Sequence, residues 1–291
     1  MNIVNLPQDI LPGEGSGSES VIFHDYSAPP GAFKGKGILH KNAISLVISG
    51  EKTMHFAETT VYARDTEFHF LSAGNCVVSM NLAAKTPFRS ILIFFDTGLL
   101  TNFFIKYAGW VDKIKDAKKI SPASYLSFAK DPFVRNYIDS LQLLLQSKQQ
   151  LSAGMRLLKL EELWLYLLEK HSTPLLSFQP ASDKHDDDLA IRKVVETNIT
   201  NNVSIAEMAF LCHMSLSTFK RRFSRLYGKS PNEWFVQERM KLAKELLQHH
   251  HEKPSMVYDK VGYESHSGFS HAFRKIFGKT PSEFQLEYLN D

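Results

Sequence analysis

The sequence predicts an α+β protein: an antiparallel β-sheet or β-barrel with appended helices, then an all-α C-terminal domain with two helix-turn-helix units. Three observations predict it. Short apolar runs separated by turn residues fill the stretch from about Val21 to Phe95, a helical periodicity replaces them after Asp96, and the last third of the chain repeats itself at an offset of 50 residues. A chain of 291 residues is long enough for two domains, each with its own core.

Residues 1–20 open the chain. Their PGEGSGSES segment offers few side chains worth burying, and a flexible tail is expected there. This start has neither a basic region nor an apolar core of signal-peptide length, and no run of about 18 apolar residues occurs anywhere, so a soluble, cytoplasmic protein without membrane contact is expected. Two cysteines, Cys76 and Cys212, can form neither a disulfide framework nor a four-cysteine zinc site, which fits a reducing compartment.

From Val21 onward AISLVISG, FHFL, CVVSMNL and FRSILIFF read as strands of one sheet or barrel. TGLLTNFFIKYAGW, FVRNYIDSLQLLLQ and MRLLKLEELWLYLLEK then read as helices. In the last of these Leu157, Leu160, Leu163, Trp164, Leu167 and Leu168 recur at intervals of three and four, a stripe that packs on the sheet or on a second subunit of a homodimer. Residues 21–171 are accordingly expected to form one domain. STPLLSFQPASDKHDDD, with two prolines and a closing run of three aspartates, marks residues 172–187 as a linker.

Charge divides unevenly. Residues 1–188 hold 19 Lys+Arg against 20 Asp+Glu, whereas residues 189–291 hold 15 against 11. The basic excess sits at Lys220, Arg221, Arg222, Arg225 and Lys229, and again at Arg274, Lys275 and Lys279 beside His266 and His271. Cations clustered in this way can answer a polyanion, although a charged run is also the ordinary surface of a solvated helix.

The repeat decides between those readings. FKRRFSRLYGKSPNEW from Phe219 lies over FSHAFRKIFGKTPSEF from Phe269, so that Phe219, Phe223, Gly228, Lys229, Pro231 and Glu233 match Phe269, Phe273, Gly278, Lys279, Pro281 and Glu283. Phe219, Phe223 and Leu226 share one helix face and leave Lys220, Arg221 and Arg225 outside it. Gly228 and Gly278 suit the left-handed residue that ends a helix, and Pro231 and Pro281 the first turn of the next, with Ser230 and Thr280 as caps. Upstream, Ser204 and Glu207 have capping-box spacing and Ser215 caps the basic helix. Two helix-turn-helix units, at about 204–227 and 254–277, follow. Between them NEWFVQERMKLAKELLQ predicts a helix of about 25 Å, a connector that could set two recognition helices near the roughly 34 Å between successive major-groove turns.

On these residues, VGYESHSGFSHAFRKIFGKTPSEF above all, the region 188–287 resembles the DNA-binding domain of the AraC/XylS family of bacterial transcription regulators. The resemblance implies a seven-helix domain that binds double-stranded DNA. Carried over by position, base contacts would come from Ser217, Thr218, Lys220 and Arg221 in the first unit and His266, Ser267, Ser270 and His271 in the second. Backbone contacts would come from Arg222, Arg225, Lys229, Arg274 and Lys279. Lys220 and Arg221 can donate to guanine, while His, Ser and Thr make shorter contacts. Tyr258 stands where the family usually has alanine, and Gln285 where arginine is common. The family also implies an N-terminal half that is a cupin-like antiparallel β-barrel with appended helices, sensing and dimerising, together with contact with RNA polymerase, activation of transcription, and an effector that is a small molecule or a protein.

Competing chemistry is thinly supported. His40, His55, Glu58, Glu67 and His69 lack the HxH spacing of a cupin metal site, so neither a metal nor a cofactor is expected, and isolated sheet histidines explain them. Phe56, Tyr62, Phe68, Phe70, Phe88, Phe94 and Phe95 could line an effector pocket or simply fill a core. His249, His250 and His251 point in different directions on a helix and read as a solvated helix end. The rival to a non-enzymatic regulator is a metal-dependent cupin enzyme, or an alkyl-transfer cysteine protein, fused to a DNA-binding domain. The latter needs a reactive thiol, and Cys76 lies in an apolar strand.

Overall fold

In the computed structural model, the described residues are 3–11, 19–29, 33–80, 86–117, 121–147, 151–178, 187–248 and 252–289. The chain divides into two compact units: the first comprises Met1–His55 and Thr60–Lys184, the second His185–Asp291 with the short segment Phe56–Thr59.

Among the described residues ten strands build the first unit. One sheet has the order β1–β3–β8–β5–β6, from Ile3–Leu6, Phe33–Leu39, Gly74–Met80, Lys52–His55 and Thr60–Ala63. The other has the order β10–β7–β4–β9–β2, from Tyr125–Ala129, Glu67–Leu71, Asn42–Ser49, Phe88–Phe95 and Val21–Ala28. Pairing is antiparallel except where β1 runs parallel to β3. Alternation along a strand explains the second sheet. Ile44, Leu46, Phe68, Phe70, Ile91, Ile93 and Phe95 point to one side and form a core with the helices α1 (Thr97–Lys106), α3 (Pro132–Gln146), α4 (Ala153–Lys170) and α5 (Ser172–Ser177). A further helix, α2 (Ala108–Ala117), adds Val111 to it. Ser45, His69 and Ser90 point the other way, toward the first sheet, from which the Lys52 amine reaches to 4.3 Å from the Phe88 ring. Phe88–Phe95 is buried on both faces, which is why its apolar residues run on without alternating.

Three expectations about boundaries need correction. The N-terminal tail is not uniformly loose: Ile3–Leu6 pairs with Lys36–Leu39, because an open edge of β3 can accept a strand as short as four residues. The expected linker starts too early, because α5 and Phe178 bury Leu175, Leu176 and Phe178 in the first unit's core, and Ala123 bridges Phe178. The purely helical reading after Asp96 omits β10, whose Leu126 and Phe128 are buried while Ser127 and Ala129 are exposed. The stripe on α4 is core: Leu160, Leu163, Trp164, Leu167 and Leu168 are all buried.

Among the described residues the second unit is seven helices: α6 (Asp187–Asn198), α7 (Ile205–Leu211), α8 (Leu216–Tyr227), α9 (Pro231–Gln248), α10 (Pro254–Lys260), α11 (His266–Phe277) and α12 (Pro281–Leu289). The repeat is a repeat of packing. Phe223 meets Tyr227 at 4.5 Å and Trp234 at 5.7 Å; Phe273 meets Phe277 at 4.5 Å and Phe284 at 5.4 Å. Each copy therefore anchors its basic helix to the helix that follows it through the same aromatic triad.

Candidate nucleic-acid interface

Both expected recognition helices, α8 and α11, are defined at each end by local chemistry. The Ser204 side chain and the Glu207 carboxylate form a reciprocal capping box on α7. Ser215 and Ser265 cap α8 and α11 through the amides of Thr218 and Gly268. Gly228 and Gly278 end them in the left-handed region, with φ 71° and 75°. Thr280 caps α12 and returns its own amide to the Glu283 carboxylate at 2.7 Å, a contact that lowers the Glu283 pKa. The two turns differ. Four residues, 212–215, separate α7 from α8, whereas five, 261–265, separate α10 from α11, so the offset of 50 shrinks to 49 upstream of the turn. In both turns one residue takes positive φ, His213 at 55° and Gly262 at 78°.

The residues expected to touch bases divide into two kinds. Lys220 and Arg221 are exposed and make no ion pair within the described residues, while Ser217 and Thr218 lie in a hydroxyl cluster with Ser215 at 3.0 and 2.9 Å. In the second unit His266, Ser267 and His271 are exposed and Ser270 is half-buried. Tyr258 sets its ring edge-on to His266, with centroids 6.0 Å apart, so the family-atypical tyrosine shapes the surface beside an expected base contact. Gln285 donates to the Glu252 carbonyl at 2.7 Å, which gives this position a neutral structural role where an arginine is common.

The expected backbone cations are mostly engaged. Arg222 reaches Asp187 at 2.7 Å, and one Arg225 nitrogen bridges both Asp188 oxygens at 2.8 and 2.7 Å. Lys229 donates to Gln237 at 2.6 Å, and Lys279 to both Glu287 oxygens at 2.5 and 2.7 Å. Arg274 has an electrostatic interaction with Glu283, and neither Arg274 nor Lys275 makes an ion pair among the described residues. The sequence reading missed the acidic partners: Asp187 reads as the last linker residue and Asp188 as the first of the next domain, yet both lie in the first turn of α6 and pair with Arg222 and Arg225 on α8.

The competing sites in the first unit come apart. His40 contacts Asn5, His55 contacts Thr60 and His69 contacts Tyr125, and no group of three metal-ligating side chains occurs among the described residues. Burial pushes the Cys76 thiol up to about 11 and the Cys212 thiol up to about 12, so neither is a ready nucleophile. Phe68, Phe70, Phe88, Phe94 and Phe95 are fully buried, and Tyr62 is exposed. His249–His251 lie outside the described residues.

Two family models match. One, described as the ExsA N-terminal regulatory domain, covers residues 42–178, and the other, a helix-turn-helix domain, covers residues 208–287. Each matched region is thus similar to the corresponding part of AraC-type transcription regulators. The chain is similar to the HTH-type transcriptional regulator ExsA of Pseudomonas aeruginosa, at 24% identity over 83% of this chain and 85% of the relative. It is also similar to the virulence regulon transcriptional activator VirF of Yersinia enterocolitica, at 24% over 84% of this chain and 89% of the relative. Among solved structures, ToxT from Vibrio cholerae aligns over 92% of this chain and 98% of its own, with 14% identity and a TM-score of 0.39. The helix-turn-helix model falls on the stretch from α7 to α12, and the regulatory-domain model on the sheet unit from β4 to α5.

Proposed function

We propose that this protein is an AraC/XylS-type, sequence-specific DNA-binding activator of transcription, not an enzyme, that reads two adjacent major-groove segments. The observation that carries the reading is the duplicated, capped helix pair whose second members, α8 and α11, rest on matching aromatic triads and keep an exposed polar face. Ser217, Thr218, Lys220 and Arg221 read one segment, and His266, Ser267, Ser270 and His271 the next. Arg222, Arg225, Lys229, Arg274 and Lys279 hold phosphates. Lys220 and Arg221 give the first unit the more guanine-directed contacts. The relatives named as activators support the direction of control.

The sheet unit regulates this activity through a small-molecule or protein effector, and helix surfaces of that unit pair two copies. Leu158, exposed on the side of α4 away from the core, belongs to such a surface. RNA polymerase is the partner through which activation is delivered, and the bacterial cytoplasm is where both meet DNA. Genomic fragments selected by the full chain at about 150 mM salt test the reading. A recovered bipartite site, bound at least about 10³-fold more tightly than random duplex, supports it, and equal retention of all fragments overturns it.

A further inference from the structure

Among the described residues the two helix-turn-helix units do not share one core. Phe219 and Phe223 belong to one set of buried side chains, and Phe269, Phe273, Val257 and Val261 belong to another. A second contact nevertheless joins them beside the connecting helix α9. Arg239, on α9, directs all three branches of its guanidinium at main-chain oxygens: Nε to Ile199 at 2.6 Å, Nη2 to Asn201 at 3.0 Å and Nη1 to Gly262 at 2.8 Å. The first two oxygens belong to the loop between α6 and α7, and the third to the turn of the second unit.

The neighbourhood is shaped around this contact. Phe235 and Tyr263 place their rings 5.8 and 6.0 Å from the guanidinium carbon. Asn202 donates to Glu264 at 2.8 Å between the same loop and the same turn. Gly262, at φ 78°, presses its Cα face onto that loop: a Cβ there would lie 2.6 Å from the Thr200 oxygen and 3.0 Å from the Arg239 guanidinium carbon. Arg239 is only partly exposed, and burial lowers its pKa. Among the described residues no carboxylate pairs with it, and carbonyl dipoles and ring faces meet its charge. A guanidinium fixes three acceptors in one plane, which a lysine ammonium on a flexible stem cannot do.

We propose that Arg239 is a positioning residue that fixes the separation and rotation of α8 relative to α11, and thereby sets the spacing of the two DNA segments the protein accepts. The proposal rests on the DNA-binding reading above. An inserted base pair moves the second segment by about 3.4 Å and about 34° around the duplex axis. A rigid pair of helices then loses one unit's base contacts, whereas a pair joined by α9 alone can follow.

The test uses the full chain and the bipartite site it selects from genomic DNA, with duplexes carrying zero, one or two extra base pairs between segments and a duplex carrying one segment only. Wild type should lose about tenfold or more in affinity at the first insertion. Arg239→Lys, which keeps the charge and loses the fork, should lose under about threefold at the same insertion while binding the one-segment duplex like wild type. The exposed pair change Asn202→Ala with Glu264→Ala should flatten the profile in part, and it provides the reading if Arg239→Lys fails to fold. Wild-type steepness retained in both variants overturns the proposal, as does a loss that falls equally on the one-segment duplex. A wild type that selects a site but tolerates every spacing sinks this proposal alone, whereas one that selects no site sinks the DNA reading beneath it.

Discussion

His69 and Lys52 make the sheet unit sensitive to acid. The imidazole is wholly buried between the sheets; burial first, then the Lys52 and Lys130 amines, lower its pKa to about 4, while Nδ1 holds the Tyr125 hydroxyl at 2.8 Å. Between pH 4 and 6.5 the unfolded chain binds a proton at His69 that the folded chain refuses, so stability falls as pH falls through that window. At 1.36 kcal/mol per unit this amounts to about 3 kcal/mol. His69→Phe should flatten the melting temperature of the sheet unit between pH 6.5 and 4, and an unchanged slope in a pH series of thermal melts would assign the acid sensitivity elsewhere. In the DNA-binding unit Arg221→Ala should weaken specific binding by about 1–3 kcal/mol and relax preference at one base, while Lys229→Ala weakens specific and random duplexes alike. Equal losses on both duplexes for both variants would contradict that division, and paired titrations measure it. The caps at Ser204 and Ser215 and the glycines 228 and 278 were legible because each acts on backbone a few residues away. Arg239 was not, because its three acceptors lie 23 to 40 residues distant in sequence.

At the scale of the element, α8 carries cations that face two kinds of anion. Arg222 and Arg225 already lie against Asp187 and Asp188 at the start of α6, so DNA phosphates must displace carboxylates to use them. These pairs are partly exposed and individually weak, and the exchange shows in salt dependence more than in stability. Asp188→Asn should tighten DNA binding a few-fold and steepen the fall of log affinity with log salt by up to about one, because one released cation is then available to a phosphate. A salt titration with an unchanged slope would mean that Arg222 and Arg225 remain bound to the protein in the complex. The acidic run illustrates a limit of pattern reading: three aspartates beside proline and serine have the composition of a linker, and only the packing of α6 on α8 gives two of them cationic partners. β10 shows the complementary limit, since five residues with two buried side chains become a strand only where β7 offers an edge.

For the whole molecule, the pattern of apolar residues specified two folding units well and their junction poorly. Periodicity reports which face of an element is buried, so the sheets and helices are readable, but it does not report which unit a short segment joins; α5 and Phe178 have the composition of a linker and yet complete the first core. Two cores without shared side chains should unfold separately. Trp164 is fully buried at 5.2 Å from Phe95 and 5.3 Å from Phe103, and Phe273 is fully buried among Phe269, Phe277 and Phe284. Each, cut to alanine, leaves a cavity and should cost about 3–5 kcal/mol. Calorimetry of the full chain should show Trp164→Ala lowering one transition and Phe273→Ala the other, because each variant removes contacts from one core only. A single transition lowered by both variants would mean that the units fold as one cooperative body. In that event a signal received by the sheet unit would reach α8 and α11 through global stability, whereas with separate transitions it must travel through a specific contact or through pairing of two copies.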